Sequence, residues 1–261
     1  MKQSASMPDR KHDRWTKTDH GISLSRRQPD ERMFAISAEP ENLTIDLSRS
    51  ALIIVDMQND FLDSEGWFAA VRGATTDPLR KIVTNINAVS TAFRAGGSPV
   101  IHLNWGVRQD LANLPANVID KGSACGQAIG YGSPMPNGPV LVQGSWGAQS
   151  IPEITAAPDD LHVSKHRLSG FRDNELDQIL RRLGVTTLFF TGVNLDRCVF
   201  ATLMDGSFQG YDSIVIEDAT TTVSPPEVSD AILYLVRLLY GFTTTTENLL
   251  AGLVPDHKTG E

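Results

Sequence analysis

Ala51-Leu-Ile-Ile-Val55 runs into Asp56-Met-Gln-Asn-Asp60, and Val185-Thr-Thr-Leu-Phe-Phe-Thr191 runs into Gly192-Val-Asn-Leu-Asp-Arg-Cys198. Neither apolar run alternates with polar residues, which is how a strand buried on both faces of a parallel sheet reads. Between and beyond them lie segments of helical spacing. Asp77-Pro78 opens one that reaches Arg94, with Leu79, Ile82, Val83, Ile86, Val89 and Phe93 on one face; Pro near its start and Gly96-Gly97 after its end supply boundaries. Pro99 to Leu103 and Leu161 to Lys165 read as further strands. Glu175 to Leu183 reads as a helix closed by Gly184, and Asp196 to Phe208 as the helix after the Val185 strand. Ser213 to Glu217 is a fifth strand and Val228 to Tyr240 another helix.

Strands alternating with helices predict an α/β fold, a Rossmann-like three-layer α/β/α sandwich around a central, mostly parallel six-stranded sheet. Residues 46–261 are expected to form one domain. Residues 1–45 are expected to be an N-terminal arm, flexible or packed across a subunit interface, because charge outweighs apolar periodicity there. Asn104 to Gly147, rich in Gly and Pro, reads as a long loop and a candidate pocket wall or lid.

A net charge of −8 and a pI near 5.2 argue against a nucleic-acid partner, since phosphate binding leans on Lys and Arg. No apolar run approaches the ~20 residues that span a bilayer, so no membrane partner is expected. Cys125 and Cys198 are the only cysteines, too few for a disulfide framework, and reduced thiols in a cytoplasmic protein are expected. A small-molecule substrate, with water, fits this composition. The apolar, Thr-rich stretch from Leu233 to Leu253 could supply a homo-oligomer contact or simply be core helix.

In open parallel sheets, ligands sit beyond the carboxyl ends of the strands. That rule gathers an acid, Asp56, an amine, Lys165, and a thiol, Cys198, at one edge. A lone cysteine is more often an inert buried residue, and an Asp at a strand end is often only a turn former. Together the three have complementary roles. A helix start and a nearby ammonium would lower the Cys198 thiol below its ordinary ~8.5. Asp56 could take the thiol proton and return it to a leaving amine, with Lys165 holding the acid charged. Backbone N–H groups at the start of the Cys198 helix could bind an oxyanion. His162 and His166 are four apart on a strand, which is not the ligand spacing that the same interval makes on a helix.

With the acid, the amine and Phe190-Thr-Gly-Val-Asn-Leu-Asp-Arg-Cys-Val199 in place, the chain from about Ser50 to Leu253 resembles the isochorismatase-like cysteine hydrolases. Gly144-Ser-Trp146, Lys165-His-Arg-Leu-Ser-Gly-Phe171 and Val215-Ile-Glu-Asp-Ala-Thr220 resemble ureidoacrylate amidohydrolases, while Arg108 to Asn117 resembles biuret hydrolases. The resemblance implies Asp56 as proton acceptor, Lys165 as third member of a triad and Cys198 as nucleophile. It also implies a cis Val193–Asn194 peptide and an oxyanion hole made by the N–H groups of Asn194 and Cys198. The implied activity is hydrolysis of a C–N bond in a small linear ureide or amide through an acyl-enzyme, by a dimer or tetramer. Vinyl ether hydrolysis, a guanyl ureide substrate and a non-catalytic scaffold are the alternatives.

Relatives that bind metal carry an Asp-x-His pair where this chain has His102-Leu-Asn104, so no catalytic metal and no cofactor are expected. Gln58, Asn104, Trp105, Arg108, Phe171 and Asn194 are the candidate substrate contacts, with Arg108 or Arg172 available for a substrate carboxylate. Asn194 departs from the small residue or Thr usual in relatives.

Overall fold

A computed structural model describes residues 15–25, 30–72 and 76–253. Its centre is a six-stranded sheet of β1 (Ser50–Val55), β2 (Val100–Trp105), β3 (Leu161–Lys165), β4 (Thr187–Val193), β5 (Asp212–Thr221) and β6 (Gly241–Thr244). The spatial order is β6-β5-β4-β1-β2-β3, and every neighbouring pair is parallel. The sheet is therefore wholly parallel, and its sixth strand is one that the sequence pattern did not mark. Every residue of β1 and β4 is buried, as their unbroken apolar runs require.

The chain leaves β1 toward β2 and β3, then returns to the other side of β1 to build β4, β5 and β6. Right-handed crossovers in opposite directions place their helices on opposite faces. The principal helices are α1 (Val83–Ala95), α2 (Leu176–Arg182), α3 (Phe200–Phe208), α4 (Pro226–Leu235) and α5 (Thr246–Leu253). The crossovers diverge between β1 and β4, so that gap is the switch point where a site is expected.

Three of the expected helices differ from the sequence reading. The expected helix from Asp77 to Arg94 is two pieces, Asp77–Arg80 and α1. The side chains of Thr76 and Arg80 both donate to the Leu62 carbonyl, which ties the first piece to the segment after β1. The helix expected from Asp196 begins as a π-helical turn, Leu195–Val199, before α3. The helix expected from Val228 also ends in a π turn, Val236–Tyr240, and hands directly to β6.

Part of the expected arm, residues 1–14 and 26–29, lies outside the described residues. Within the remainder, Thr16–Thr18 pairs with Gly21–Ser23, and Met33–Ile36 pairs with Leu43–Asp46, both antiparallel. Ile36 and Ile45 of the second ribbon belong to the buried core, and the backbone of Glu39 exchanges hydrogen bonds with Thr243 of β6. No helix among the described residues is long and apolar enough to cross a membrane.

Candidate active site

Asp56 follows directly on β1, and its φ of +50° is a left-handed conformation that non-glycine residues seldom adopt. Its N–H donates to the Leu103 carbonyl of β2, which fixes the turn to the neighbouring strand. Gly192 faces Val55 across the β1–β4 pair with φ +99°, and a Cβ there would lie 2.1 Å from the Val55 carbonyl oxygen. Only a glycine lets β4 come this close just before it delivers the cysteine. The Val193–Asn194 peptide is cis, and the π turn that follows contains Cys198.

The three predicted residues meet. Lys165 Nζ lies 2.9 Å from Asp56 Oδ2, with both side chains essentially fully buried. Asp56 Oδ1 accepts the backbone N–H of Trp105 at 3.0 Å, and the Cys198 thiol is hydrogen-bonded to the same carboxyl group. Trp105 adds two contacts: its indole N–H points to Cys198 Sγ at 3.3 Å, and Lys165 Nζ stands 4.3 Å from its ring centroid. The ammonium also donates to the Arg167 carbonyl at 3.3 Å.

Burial raises the Asp56 pKa, opposed first by the Lys165 charge and then by hydrogen bonds from Cys198, Lys165 and Trp105. The thiol behaves contrary to the sequence expectation. Burial, reinforced by the Asp56 charge, pushes Cys198 up to about 12, against the downward pull of Lys165 and the Trp105 N–H. The cause is location: the sulfur is enclosed, and the Asp56 carboxyl group acts on it more strongly than the Lys165 ammonium does. At rest the sulfur therefore holds its proton beside a base, and nucleophile formation requires transfer within the pair.

Several expected substrate contacts have other duties. Gln58 is fully buried and donates to the carbonyls of Trp105 and Ala148, both at 2.8 Å, while accepting the Trp105 N–H. It is a positioning residue, with its amide committed to backbone. Phe171 stacks on Tyr211 at 5.5 Å and abuts Gly206 of α3, a packing role that follows from its place after the β3 turn. Arg108 makes a two-pronged pair with Asp110 at the surface, and Arg172 does the same with Asp205, so neither guanidinium stands open for a carboxylate. Asn194 Oδ1 accepts the Val223 N–H at 3.1 Å, which ties the start of the π turn to the segment after β5. Asn104 donates to Ser150 Oγ at 3.0 Å and keeps a buried Oδ1 without a partner among the described residues. Trp105 is the expected contact that touches all three members of the triad.

The sequence reading missed Tyr131 and Trp67. Tyr131 stacks on Trp105 with centroids 5.0 Å apart, and Trp67 packs on Tyr131 at 5.3 Å. A signal was present: Tyr131 is a single aromatic between Gly130 and Gly132 in an otherwise irregular stretch. Among the described residues, no three His, Cys, Asp or Glu side chains gather as a metal site. His102 instead contacts Asp160 at 3.0 Å and stacks on His162, and Arg94 holds the same carboxylate.

The isochorismatase domain family matches residues 50–248, which takes in the whole sheet and all three buried partners. The chain belongs to the isochorismatase family. Among solved structures it is similar in fold to a cysteine hydrolase from Pseudomonas syringae pv. phaseolicola 1448A, at 24% identity and a TM-score of 0.68 over 80% of this chain and 94% of that one. An isochorismatase family protein from Desulfovibrio vulgaris matches at 27% identity and TM-score 0.63, covering 79% of this chain and 99% of that one. N-carbamoylsarcosine amidase from Thermoplasma acidophilum matches at 29% identity and TM-score 0.59, covering 76% and 97%. Within the family match, this chain sets an enclosed thiol beside a buried acid and lysine.

Proposed function

We propose that the chain is an amidohydrolase that cleaves a C–N bond of a small linear carbamoyl compound, of the ureidoacrylate or biuret type, through a covalent Cys198 acyl-enzyme. The observation that carries this reading is the Asp56 carboxyl group, which touches the thiol on one side and the Lys165 ammonium on the other. The ureide-like motifs in the sequence support it, as does the likeness to a relative whose name is N-carbamoylsarcosine amidase.

Asp56 takes the thiol proton as Cys198 Sγ attacks the carbonyl carbon, and the charge that develops on the carbonyl oxygen is met by the N–H groups of Asn194 and Cys198. Asp56 then returns that proton to the departing nitrogen as the C–N bond breaks, leaving a thioester-type acyl-enzyme and a free amine or ammonia. Water attacks the acyl carbon while Asp56 accepts its proton. Collapse of that second intermediate restores the thiol and releases the acid or carbamate. Lys165 keeps the buried carboxyl group charged at each return to the resting state, and the Trp105 indole N–H steadies sulfur as it gains charge.

The test is ammonia release from a panel of ureides and linear amides by the parent, Cys198→Ser and Cys198→Ala. The thiol variants should lose turnover by about a thousandfold or more, because members of such a unit act together. Full turnover without the thiol would overturn the reading and favour vinyl ether hydrolysis.

A further inference from the structure

The thiol is shut in. Cys198 is 5% exposed, and Asp56 and Lys165 are more deeply buried still, so a carbonyl carbon reaches sulfur only if something moves. Most of the surrounding groups are fixed. Asp56 and Lys165 are locked in their ion pair at strand ends, and Trp105, the last residue of β2, donates its N–H to both Asp56 and Gln58. Tyr131 is held differently. It comes from the irregular segment between β2 and β3, its hydroxyl makes no hydrogen bond among the described residues, and its ring rests on Trp105 and Trp67. Its hydroxyl lies near enough to Cys198 and Asp56 to sense the ionisation of either, so the ring borders the site.

Glycines give the ring its seat. A Cβ at Gly122 would come within 2.4 Å of the Tyr131 ring, and Gly132 takes φ +73° immediately after it. The flanks of the segment are pinned by hydrogen bonds, while among the described residues the ring is held by packing alone. Trp67 Nε1 donates to the Ile129 carbonyl at 2.7 Å, Gly132 N–H to Val140 at 2.9 Å, and the Leu141 N–H to Asp60 Oδ2 at 2.7 Å. Motion confined between such anchors can carry one side chain off its neighbour without unfolding the segment.

We propose that Tyr131 is the gate and selectivity residue of the thiol site, and that a substrate enters by replacing the Tyr131 ring on the Trp105 indole. A flat, delocalised group is what can take the place of a stacked ring on an aromatic face. Resting on the amidohydrolase reading, that group is the uncharged carbamoyl end of the substrate, and Tyr131 with Trp67 limits how bulky the nitrogen substituent beyond it can be. The gating half does not depend on which bond is cleaved.

Alkylation by iodoacetamide, followed by intact mass in a Cys125→Ser background that removes the exposed second thiol, reads the gate without any substrate. Minor open states are commonly populated at roughly a tenth or less, so Tyr131→Ala should speed labelling of Cys198 by at least about tenfold. Tyr131→Phe, which keeps the ring, should label at the parent rate. Labelling is run well below each variant's melting temperature; if the Ala variant does not fold, Tyr131→Leu keeps bulk without a flat ring and should also label faster. Selectivity is read as the ratio of kcat/KM for a bulky over an unsubstituted carbamoyl compound. The ratio should rise in Tyr131→Ala and stay put in Tyr131→Phe. Equal labelling of the Ala or Leu variant and the parent overturns the gate, even if ureides are turned over. Faster labelling with no ureide turned over by any variant upholds the gate and counts against the amidohydrolase reading.

Discussion

Replacing Lys165 with Met keeps most of the side chain's volume and deletes one charge of a pair whose two members are both almost wholly buried. The remaining Asp56 carboxylate has its Trp105 and Cys198 hydrogen bonds but no counter-charge. Stranding one partner of a buried ion pair typically costs ~3–5 kcal/mol. A second route gives the same scale. Asp56 can escape by taking up a proton, and counted from its ordinary value of 3.8 that uptake near pH 7 costs at most about 4 kcal/mol at ~1.4 kcal/mol per unit, less the part that the raised value in the parent already carries. The sign follows from linkage. A carboxyl group raised in the folded protein is most favourable there below its unfolded value, and stability is lost as pH rises through the interval up to the folded value. The deficit of Lys165→Met against the parent should therefore reach up to about 4 kcal/mol near pH 7 and shrink on acidification toward pH 5, by at most ~1.4 kcal/mol for each unit. Denaturant unfolding followed by tryptophan fluorescence at both pH values measures it.

The double variant Asp56→Asn/Lys165→Met sharpens the test. With both charges gone and the Trp105 N–H still able to find the Asn oxygen, stability should recover most of what the single variant lost, since neutral replacements of buried pairs are often tolerated. Hydrolytic activity should stay absent from both, because the proton acceptor is protonated in one and missing in the other. A Lys165→Met protein within about 1 kcal/mol of the parent near pH 7, or a deficit that grows on acidification, would refute the reasoning.

Activity should fall as pH is lowered through the Asp56 value, which burial sets above the ordinary 3.8, and should not rise with a thiol titration near ~8.5, because Cys198 is pushed up to about 12; a pH profile of kcat/KM checks both limbs. Gln58→Ala removes three hydrogen bonds to buried backbone groups, and at ~1–3 kcal/mol for a stranded group it should lower the melting temperature by at least roughly 4 °C. Gly192→Ala must fit a Cβ 2.1 Å from the Val55 carbonyl oxygen at a φ of +99°, so soluble yield should collapse or the melting temperature should fall further than for Gln58→Ala.

The strands that position the chemistry were legible because they are the most buried ones. Ala51 to Val55 and Val185 to Thr191 need no polar face, so their composition alone marks a central place in a parallel sheet, and the switch-point rule then leads to Asp56 and Cys198. Gly241-Phe-Thr-Thr244 was not legible: it is short, half polar and lies at the sheet edge, where its outer side meets a single bridge to Glu39 and apolar patterning is weak. The break between Asp77–Arg80 and α1 was hidden for another reason. Apolar spacing continues across it, and it is the Leu62 carbonyl, sixteen positions before Pro78, that holds the first piece in place. Tyr131 had no periodicity to betray it, since irregular segments are ordered by contacts distant in sequence.

Gln58 shows how the residue type can mislead while the position is right. A polar side chain beyond a strand end, two residues after the buried acid Asp56, reads as a substrate contact, yet the turn it occupies leaves buried carbonyls that need donors. Its neighbours do the same work: Asn59 donates to the Trp146 carbonyl at 2.8 Å, and Asp60 accepts the N–H groups of Leu141 and Trp67. The segment Asp56 to Asp60 thus supplies the proposed proton acceptor at one end and fastens residues 141–148 at the other. Trp67 joins the two, because its backbone N–H reaches Asp60 while its ring supports Tyr131. Damage to this clamp should therefore loosen the cover over Cys198 as well as lower stability. Asp60→Asn, which leaves Asp56 and Lys165 untouched, should speed alkylation of Cys198 in the same direction as Tyr131→Ala. If labelling stays at the parent rate while the melting temperature drops, the clamp and the cover are independent, and the coupling argued from Trp67 is wrong.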